Sequence, residues 1–232
     1  MARRVHVSCL SAGEIDLPAA QARHVRDVLR LRTGDEIELF DDAGFTARGV
    51  LVVCAPHRVT AVADPPQRAP TGGRAVTIAS AIPRSSRADW MIEKLSELGV
   101  ARFVPLVTAR GVVIPEGRQK LLRWSRLAAE SARQSRRSGV MQIEQVTPLA
   151  EAIALAAAPA SRFFLDPGAG AKARSSVPVD GAVFFFIGPE GGWTADEAAL
   201  FDKAALAPLR LTDTILRIET AAIAVAAIAC AI

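Results

Sequence analysis

VFFFIGPEGGWTADE, residues 183–197, places an apolar run, a glycine-rich loop and the opening of a helix in immediate succession. The run Val183–Ile187 reads as a sheet strand, and Thr194 with Glu197 has the spacing of a capping box at the start of a helix. The loop Gly188, Pro189, Glu190, Gly191 and Gly192 therefore sits at the carboxyl end of a strand, where open α/β sheets bind ligands. Paired glycines let a ligand approach the backbone closely, though the same residues also suit a tight strand-to-helix turn. There is no G-x-G-x-x-G and no G-K-[ST], and Glu190 would repel phosphate. A ligand without phosphates and with positive charge suits the loop better.

Outward from the loop the chain alternates between strands and helices. VTIASAI at 76–82 predicts a strand, DWMIEKLSEL at 89–98 a helix ended by Gly99, and RFVPLV at 102–107 a second strand. A long helix over 117–136 follows, then a weak strand near 141–146, a helix near 148–157 and a strand at 162–166. This alternation implies a mainly parallel sheet. Downstream, LTDTILRIETA at 211–221 sets Arg217 and Glu219 inside apolar sequence, and buried charges are costly unless paired or hydrogen-bonded. A structural reading is available: Glu219 and Thr220 favour a helix N-terminus, and Arg217 pairs with a nearby acid. The final AAIAVAAIACAI is apolar all round and, at twelve residues, is a core or interface helix and not a membrane span.

The first 65 residues have a different texture. AAQARHVRDVLRLR at 19–32 predicts a short amphipathic helix with Val25, Val28 and Leu29 inward and Arg23, Arg26 and Arg30 on the polar side. Ile37 and Leu39 then alternate in a strand, DDAG at 41–44 turns, and FTARGVLVV returns, with a further short strand at 58–63. This is a small β-rich domain. PPQRAPTGG at 65–73 is the linker.

Composition narrows the function classes. The start MARRVHVSCL lacks the pattern of a signal peptide, so a cytoplasmic protein is expected. Cys9, Cys54 and Cys230 lack metal or redox spacing, and three histidines leave little room for a metal site. A net charge of +4 and a pI near 9.4 are compatible with a polyanionic partner. Of the basic residues only Lys94, Lys120, Lys172 and Lys203 are lysines. Arginine suits phosphate forks and base stacking, while the alanine-rich background points equally to coding bias.

Within the long helix Arg123, Arg126, Glu130, Arg133 and Arg137 form one stripe, with Trp124, Leu127 and Ala128 on the inward side and Arg136 close by. Such a stripe is either a solvated face or a phosphate-binding surface. On the helix at 89–98, Trp90, Lys94 and Glu97 share a face, while Met91, Leu95 and Leu98 form the core stripe. Lys94 with Glu97 also reads as an ordinary i,i+3 ion pair. Just upstream, Pro83, Arg84, Ser85, Ser86 and Arg87 make a basic loop.

Taken together, HVRDVLRLRTGDEIELF, DWMIEKLSELGVARFVPL, AAESARQSRRS, IGPEGGWTADE and ILRIETAAIA resemble the ribosomal RNA small subunit methyltransferase E family. The last two blocks mark the knotted SPOUT methyltransferases, and the earlier blocks select this family among them. The resemblance implies an α/β fold in two parts. Residues 1–68 would form a PUA-like RNA-binding β-barrel, and residues 74–232 a SPOUT methyltransferase domain with a trefoil knot. It implies a homodimer, S-adenosylmethionine as cofactor, and methylation of ring nitrogen 3 of a uridine in 16S ribosomal RNA, with the assembled small subunit as partner. The cofactor residues would be Ile187, Gly188, Pro189, Glu190, Gly191, Gly192, Leu211, Ile215, Leu216, Arg217 and Thr220. Candidate RNA contacts are Arg26, Arg30, Arg84, Arg87, Lys94, Arg110, Arg133, Arg136 and Arg137. Arg217, Glu219 and Gln134 are the catalytic candidates.

This chain departs from the family's usual residues at Arg84 and Ser85, where a lysine-glycine pair is common. It departs again at Gln134, Ser135, Arg136, Arg137 and Ser138, where Gln-Ser-Gly-Arg-Asn is common. No residue is singled out as a general base, because Glu190 and Glu219 could each bind the cofactor's amino group or hold a loop. Two rival functions remain at this level: a knotted methyltransferase acting on ribose or guanine, and an RNA-binding module without chemistry.

Overall fold

The computed structural model describes residues 3–68, 74–84, 86–112, 118–137, 139–156, 160–170, 177–178 and 180–231. Ser85, Ser138, Ile232 and the second half of the linker lie outside them. The chain divides into two compact units, Met1–Gly72 with Ala132–Val140, and Gly73–Ser131 with Met141–Ile232.

In the first unit the strands are β1 (Arg4–His6), β2 (Gly13–Asp16), β3 (Glu36–Phe40), β4 (Phe45–Ala55), β5 (Arg58–Ala63) and β6 (Gln67–Arg68). They pair in the order β1-β3-β4-β5-β2, with β6 added to β4. The pairing is antiparallel except for β1 beside β3. The alternation in β3 buries Ile37 and Leu39 in a core with Val5, Val25, Leu51, Val59 and Ala61. The predicted turn at 41–44 is organised by the buried Asp41, whose Oδ1 accepts from Ala43 N and Phe45 N at 3.0 and 2.8 Å.

The helix expected over 19–32 is shorter and changes character. An α-helical turn, α1 (Ala19–Arg23), gives way to a π-helical turn at His24–Val28, and Arg30 takes a left-handed φ of 53°. The wider turn closes through Leu29 N donating to His24 O at 2.9 Å. Val25 stays in the core, but Val28 is rotated off that face and is 66% exposed. Its predicted inward placement is thereby corrected.

In the second unit the elements are β7 (Val76–Ser80), α2 (Ser86–Leu98), β8 (Arg102–Val107), α3 (Arg118–Gln134), β9 (Gln142–Ile143), β10 (Thr147–Pro148), α4 (Leu149–Leu155), β11 (Ala160–Leu165), β12 (Ala182–Ile187), α5 (Ala195–Lys203), β13 (Ala207–Leu209) and α6 (Ile218–Cys230). The sheet runs β10-β8-β7-β12-β11-β13, with β9 also on β8, and every pairing is parallel. β12 lies between two neighbours and is buried from Val183 to Ile187. Its phenylalanines pack on both faces: Phe184 and Phe186 stack at 4.8 Å, and Phe185 stacks on Phe163 at 5.6 Å. Gly99, at φ 102°, ends α2 as expected, letting Val100 N reach back to Leu95 O at 3.1 Å. α6 packs on α2. Of the final segment, read as a core or interface helix, Val225 is fully buried within the unit, while Ile223 and Ile228 are half-buried.

The β2–β5 edge carries a pH-dependent stabilisation. Asp16 Oδ1 accepts from Arg58 Nε at 2.8 Å and from Thr60 Oγ1 at 2.7 Å. Arg58 first, and Thr60 second, hold the Asp16 carboxyl below the ordinary carboxylate range. A carboxyl depressed in the folded state stabilises fully above its unfolded value and loses that contribution as pH falls through the folded one. Urea unfolding between about pH 5 and 2 should therefore show a shallower loss of stability for Asp16→Asn than for the parent. Equal slopes would remove this group from the acid response.

Candidate functional site

The glycine loop is fixed by the residues that flank it. Thr194 caps α5 by accepting from Glu197 N at 3.2 Å, and Glu197 Oε2 accepts from Thr194 N at 2.8 Å, completing the predicted capping box. Glu197 does more than cap. Its side chain is buried, and Oε1 accepts from Ala109 N at 2.8 Å, which ties the segment after β8 to the start of α5. The next residue, Arg110, donates from Nη1 to Gly191 O at 2.7 Å and grips the loop. Trp193 packs edge-on against Phe201 and donates from Nε1 to Leu165 O at 3.0 Å, anchoring the loop to the end of β11. Gly188 is required by that indole, because a Cβ there would lie 2.9 Å from Trp193 Cε2.

Between the loop and the carboxyl ends of β11, β12 and β13 lies a cavity of about 480 Å³. Ile187, Gly188, Pro189, Glu190, Gly191, Gly192, Leu211, Ile215 and Leu216, all expected at a cofactor, line it. So do Phe164, Leu165, Asp166, Pro167, Trp193, Leu209, Arg210, Thr212, Thr214, Ile218 and Ala221, which the sequence reading did not single out. The walls are largely apolar. The charged side chains on them are Asp166, Glu190 and Arg210, and Arg210 lies 3.3 Å from Asp213. Asp166 belongs to the β11 end, which meets β12 only in the folded sheet, so no local signal marked it.

Arg217 and Thr220 line a neighbouring open depression of about 850 Å³ instead, with Ser86, Arg87, Trp90 and Glu219. Ile215 and Leu216 border both spaces. Arg217 is the N-cap residue of α6 and is exposed, whereas Glu219 in its first turn is buried. Glu219 Oε1 lies 3.6 Å from Arg87 Nε, so Arg87, expected at RNA, is the acid's ion-pair partner.

The other candidates are spread out. Lys94 is held between Glu93 and Glu97, donating to each at 2.8 Å. Those bonds, Glu93 first, raise its ammonium above the ordinary lysine range. The i,i+3 ion pair is thus its local role. Arg26 forks onto Asp27 and donates to Pro56 O at 2.7 Å. Arg123 pairs with Asp89 at 2.7 Å, and Asp89 also accepts from Trp124 Nε1. Arg30, Arg84, Gln134 and Arg136 are exposed, Arg133 and Arg137 half-buried. Gln134 lines neither concavity. Among the described residues no group of three or more His, Cys, Asp or Glu could hold a metal ion, and no helix is long and apolar enough to cross a membrane.

A family model for an RNA methyltransferase domain matches residues 71–230, and one for an RNA methyltransferase PUA domain matches residues 17–63. The chain belongs to the ribosomal RNA small subunit methyltransferase E family. It is 32% identical over 220 residues to the family's protein from Mycobacterium bovis, covering 86% of this chain and 79% of that one. To the family's protein from Synechocystis it is 30% identical over 214 residues, covering 89% and 69%. The crystal structure of a family member from Neisseria gonorrhoeae bound to S-adenosyl methionine matches at a TM-score of 0.86, with 29% identity over 98% of this chain and 96% of that one. A methyltransferase from Legionella pneumophila shares the fold at a TM-score of 0.87 and 24% identity, covering 100% and 98%.

The contact between Gly188 and Trp193 is directly testable. Gly188→Ala should displace the indole and lower stability by about 1–3 kcal/mol, with a shifted near-ultraviolet tryptophan signal. An unchanged denaturation midpoint would mean that Trp193 does not constrain this position.

Proposed function

We propose that this chain transfers the methyl group of S-adenosylmethionine to ring nitrogen 3 of a uridine in 16S ribosomal RNA. The observation that carries the reading is the cavity at the strand ends. It is walled by apolar side chains, closed by a glycine loop, and bears the carboxylates of Asp166 and Glu190. Adenine fits apolar walls, the loop's backbone can lie against the ligand, and the two carboxylates suit an amino group and a sulfonium far better than phosphates. When bound, S-adenosylmethionine supplies an electrophilic methyl group. The chain's part is to orient a ring nitrogen toward it and to exclude competing geometries.

The same reading has residues 1–68 as a PUA-like RNA-binding barrel and residues 74–232 as the knotted SPOUT domain. It has the protein acting in the cytoplasm as a homodimer on the assembled small subunit. Arg217, Glu219 and Gln134 are its catalytic candidates. The open depression supports the first two of these, because Arg217 and Glu219 line a space that borders the cavity through Ile215 and Leu216. Selection of uridine and of ring nitrogen 3 rests on family membership.

Comparing nucleosides from small-subunit RNA of cells with and without the gene tests the reaction. Loss of 3-methyluridine alone is expected, whereas loss of a ribose-methylated or guanine-methylated nucleoside would sink the proposal. RNA contact is tested separately at Arg136, exposed just past the end of α3. If Arg136 meets a phosphate, Arg136→Ala should lower the slope of log affinity against log salt by about one unit. Its cofactor affinity should stay at the parent's value. An unchanged slope would leave Arg136 as a solvated surface residue.

A further inference from the structure

Among the described residues that line the open depression, Glu219 alone carries a buried side-chain polar atom without a hydrogen-bond partner. The residue is 5% exposed, and Arg87 accompanies only one of its oxygens. Oε2 is buried with no hydrogen-bond partner among the described residues. A buried carboxylate oxygen without a donor is unfavourable, and such a group persists where a ligand supplies the missing donor. The half-exposed Trp90 indole and the hydroxyls of Ser86 and Thr220 line the same space.

Resting on the function proposed above, we infer that Glu219 is the catalytic residue that selects the target base and receives its ring proton. Arg87 is its positioning residue, and Trp90 is the surface on which the base stacks. The argument is one of donors and acceptors. A carboxylate oxygen accepts only, so it needs an N–H on the base's pairing edge. Uracil presents such a donor at ring nitrogen 3, between two carbonyls. Cytosine presents a lone pair there, which would face the carboxylate's own. A site built to pair one polar group discriminates strongly against an analogue that leaves it unpaired.

The transfer balances on this assignment. The ring nitrogen's electron pair forms the bond to the methyl carbon as the carbon–sulfur bond breaks, and the pair of the broken bond stays on sulfur, leaving a neutral thioether. The proton leaves the ring nitrogen for Glu219 Oε2, and solvent entering the open depression carries it away. Glu190 is placed otherwise, on the wall of the cofactor cavity.

The experiment uses the full chain and small-subunit RNA carrying either uridine or cytidine at the position the parent methylates. Without cofactor, the parent should bind the uridine RNA at least about tenfold more tightly, and Glu219→Gln, whose amide both donates and accepts, should discriminate less than about threefold. Its kcat should fall by about 10²–10⁴, with calorimetric affinity for S-adenosylmethionine within about threefold of the parent. Arg87→Ala should lower kcat about tenfold, with partial rescue by Arg87→Lys, and Trp90→Ala should weaken RNA binding about tenfold while Trp90→Phe recovers most of it. If Glu219→Gln fails to fold, Glu219→Asp keeps the acceptor and should keep discrimination while losing kcat.

A Glu219→Gln protein that retains either the parent's kcat or its discrimination overturns the inference. So does a Trp90→Ala protein whose light scattering changes oligomeric state, which would give the depression to a second copy of the chain. A parent that makes some other methylated nucleoside defeats the function proposed above. In that case the Glu219→Gln discrimination still decides the carboxylate's role for whichever base is found.

Discussion

The buried carboxylate of Glu197 is the contact from which the site is assembled. One oxygen accepts from Ala109 N and the other from Thr194 N, so a single side chain joins the segment following β8 to the first turn of α5. That junction sets the position of Arg110, which grips the Gly191 carbonyl, and of Trp193, which reaches Leu165. The glycine loop is thereby held from both sides, and its backbone is shaped before any ligand arrives. Preorganisation of this kind lowers the ordering cost of binding. The glycine at 188 then has a second physical reason beyond access for a ligand, since it makes room for the indole that anchors the loop.

From this frame follows a separation of two spaces. The cavity is built from the ends of three adjacent strands, and the more open depression from the N-terminal turns of α2 and α6. Ile215 and Leu216 lie between them, carried on a loop shaped by Thr212 Oγ1 donating to Thr214 O at 2.8 Å. A few residues further on, the chain enters α6, and Arg217 and Glu219 turn to the depression. The motif ILRIETA therefore serves both spaces at once: Ile218 and Ala221 line the cavity, Arg217, Glu219 and Thr220 line the depression, and Ile215 and Leu216 border both.

Much of this arrangement was legible because its determinants are local. The run at 183–187, the capping box at 194 and 197 and the αL glycine at 99 all specify their elements within a few residues. What the sequence did not disclose is non-local. Asp166 and Arg210 reach the cavity because β12, β11 and β13 are neighbours in the sheet, an order the chain does not follow. β13 carries Pro208, which argues against a strand, yet the position is tolerated at the sheet edge, where fewer backbone donors need partners. Arg87 and Arg110, expected at RNA, each also have a specific partner across the fold that no local signal indicates. The first unit shows the opposite failure. A sound helical period at 19–32 was overruled by a π-helical turn that a periodicity argument cannot register.

Two of the buried polar atoms without hydrogen-bond partners among the described residues bear on this asymmetry. Local rules predict a residue whose requirements are met nearby, as Thr194 meets its own within the capping box. They do not flag a residue whose polar atoms stay unpaired within the described fold. Glu219 Oε2 and Arg210 Nε are both buried without hydrogen-bond partners among the described residues, and the residues that carry them line the depression and the cavity respectively. Each unpaired group costs about 1–3 kcal/mol of stability, a substantial fraction of what a domain possesses. A sequence that completes the capping box of α5 and packs its phenylalanines on both faces of a central strand gains no stability from either group. Their position beside the two concavities is where sequence–structure consistency is expected to yield to function.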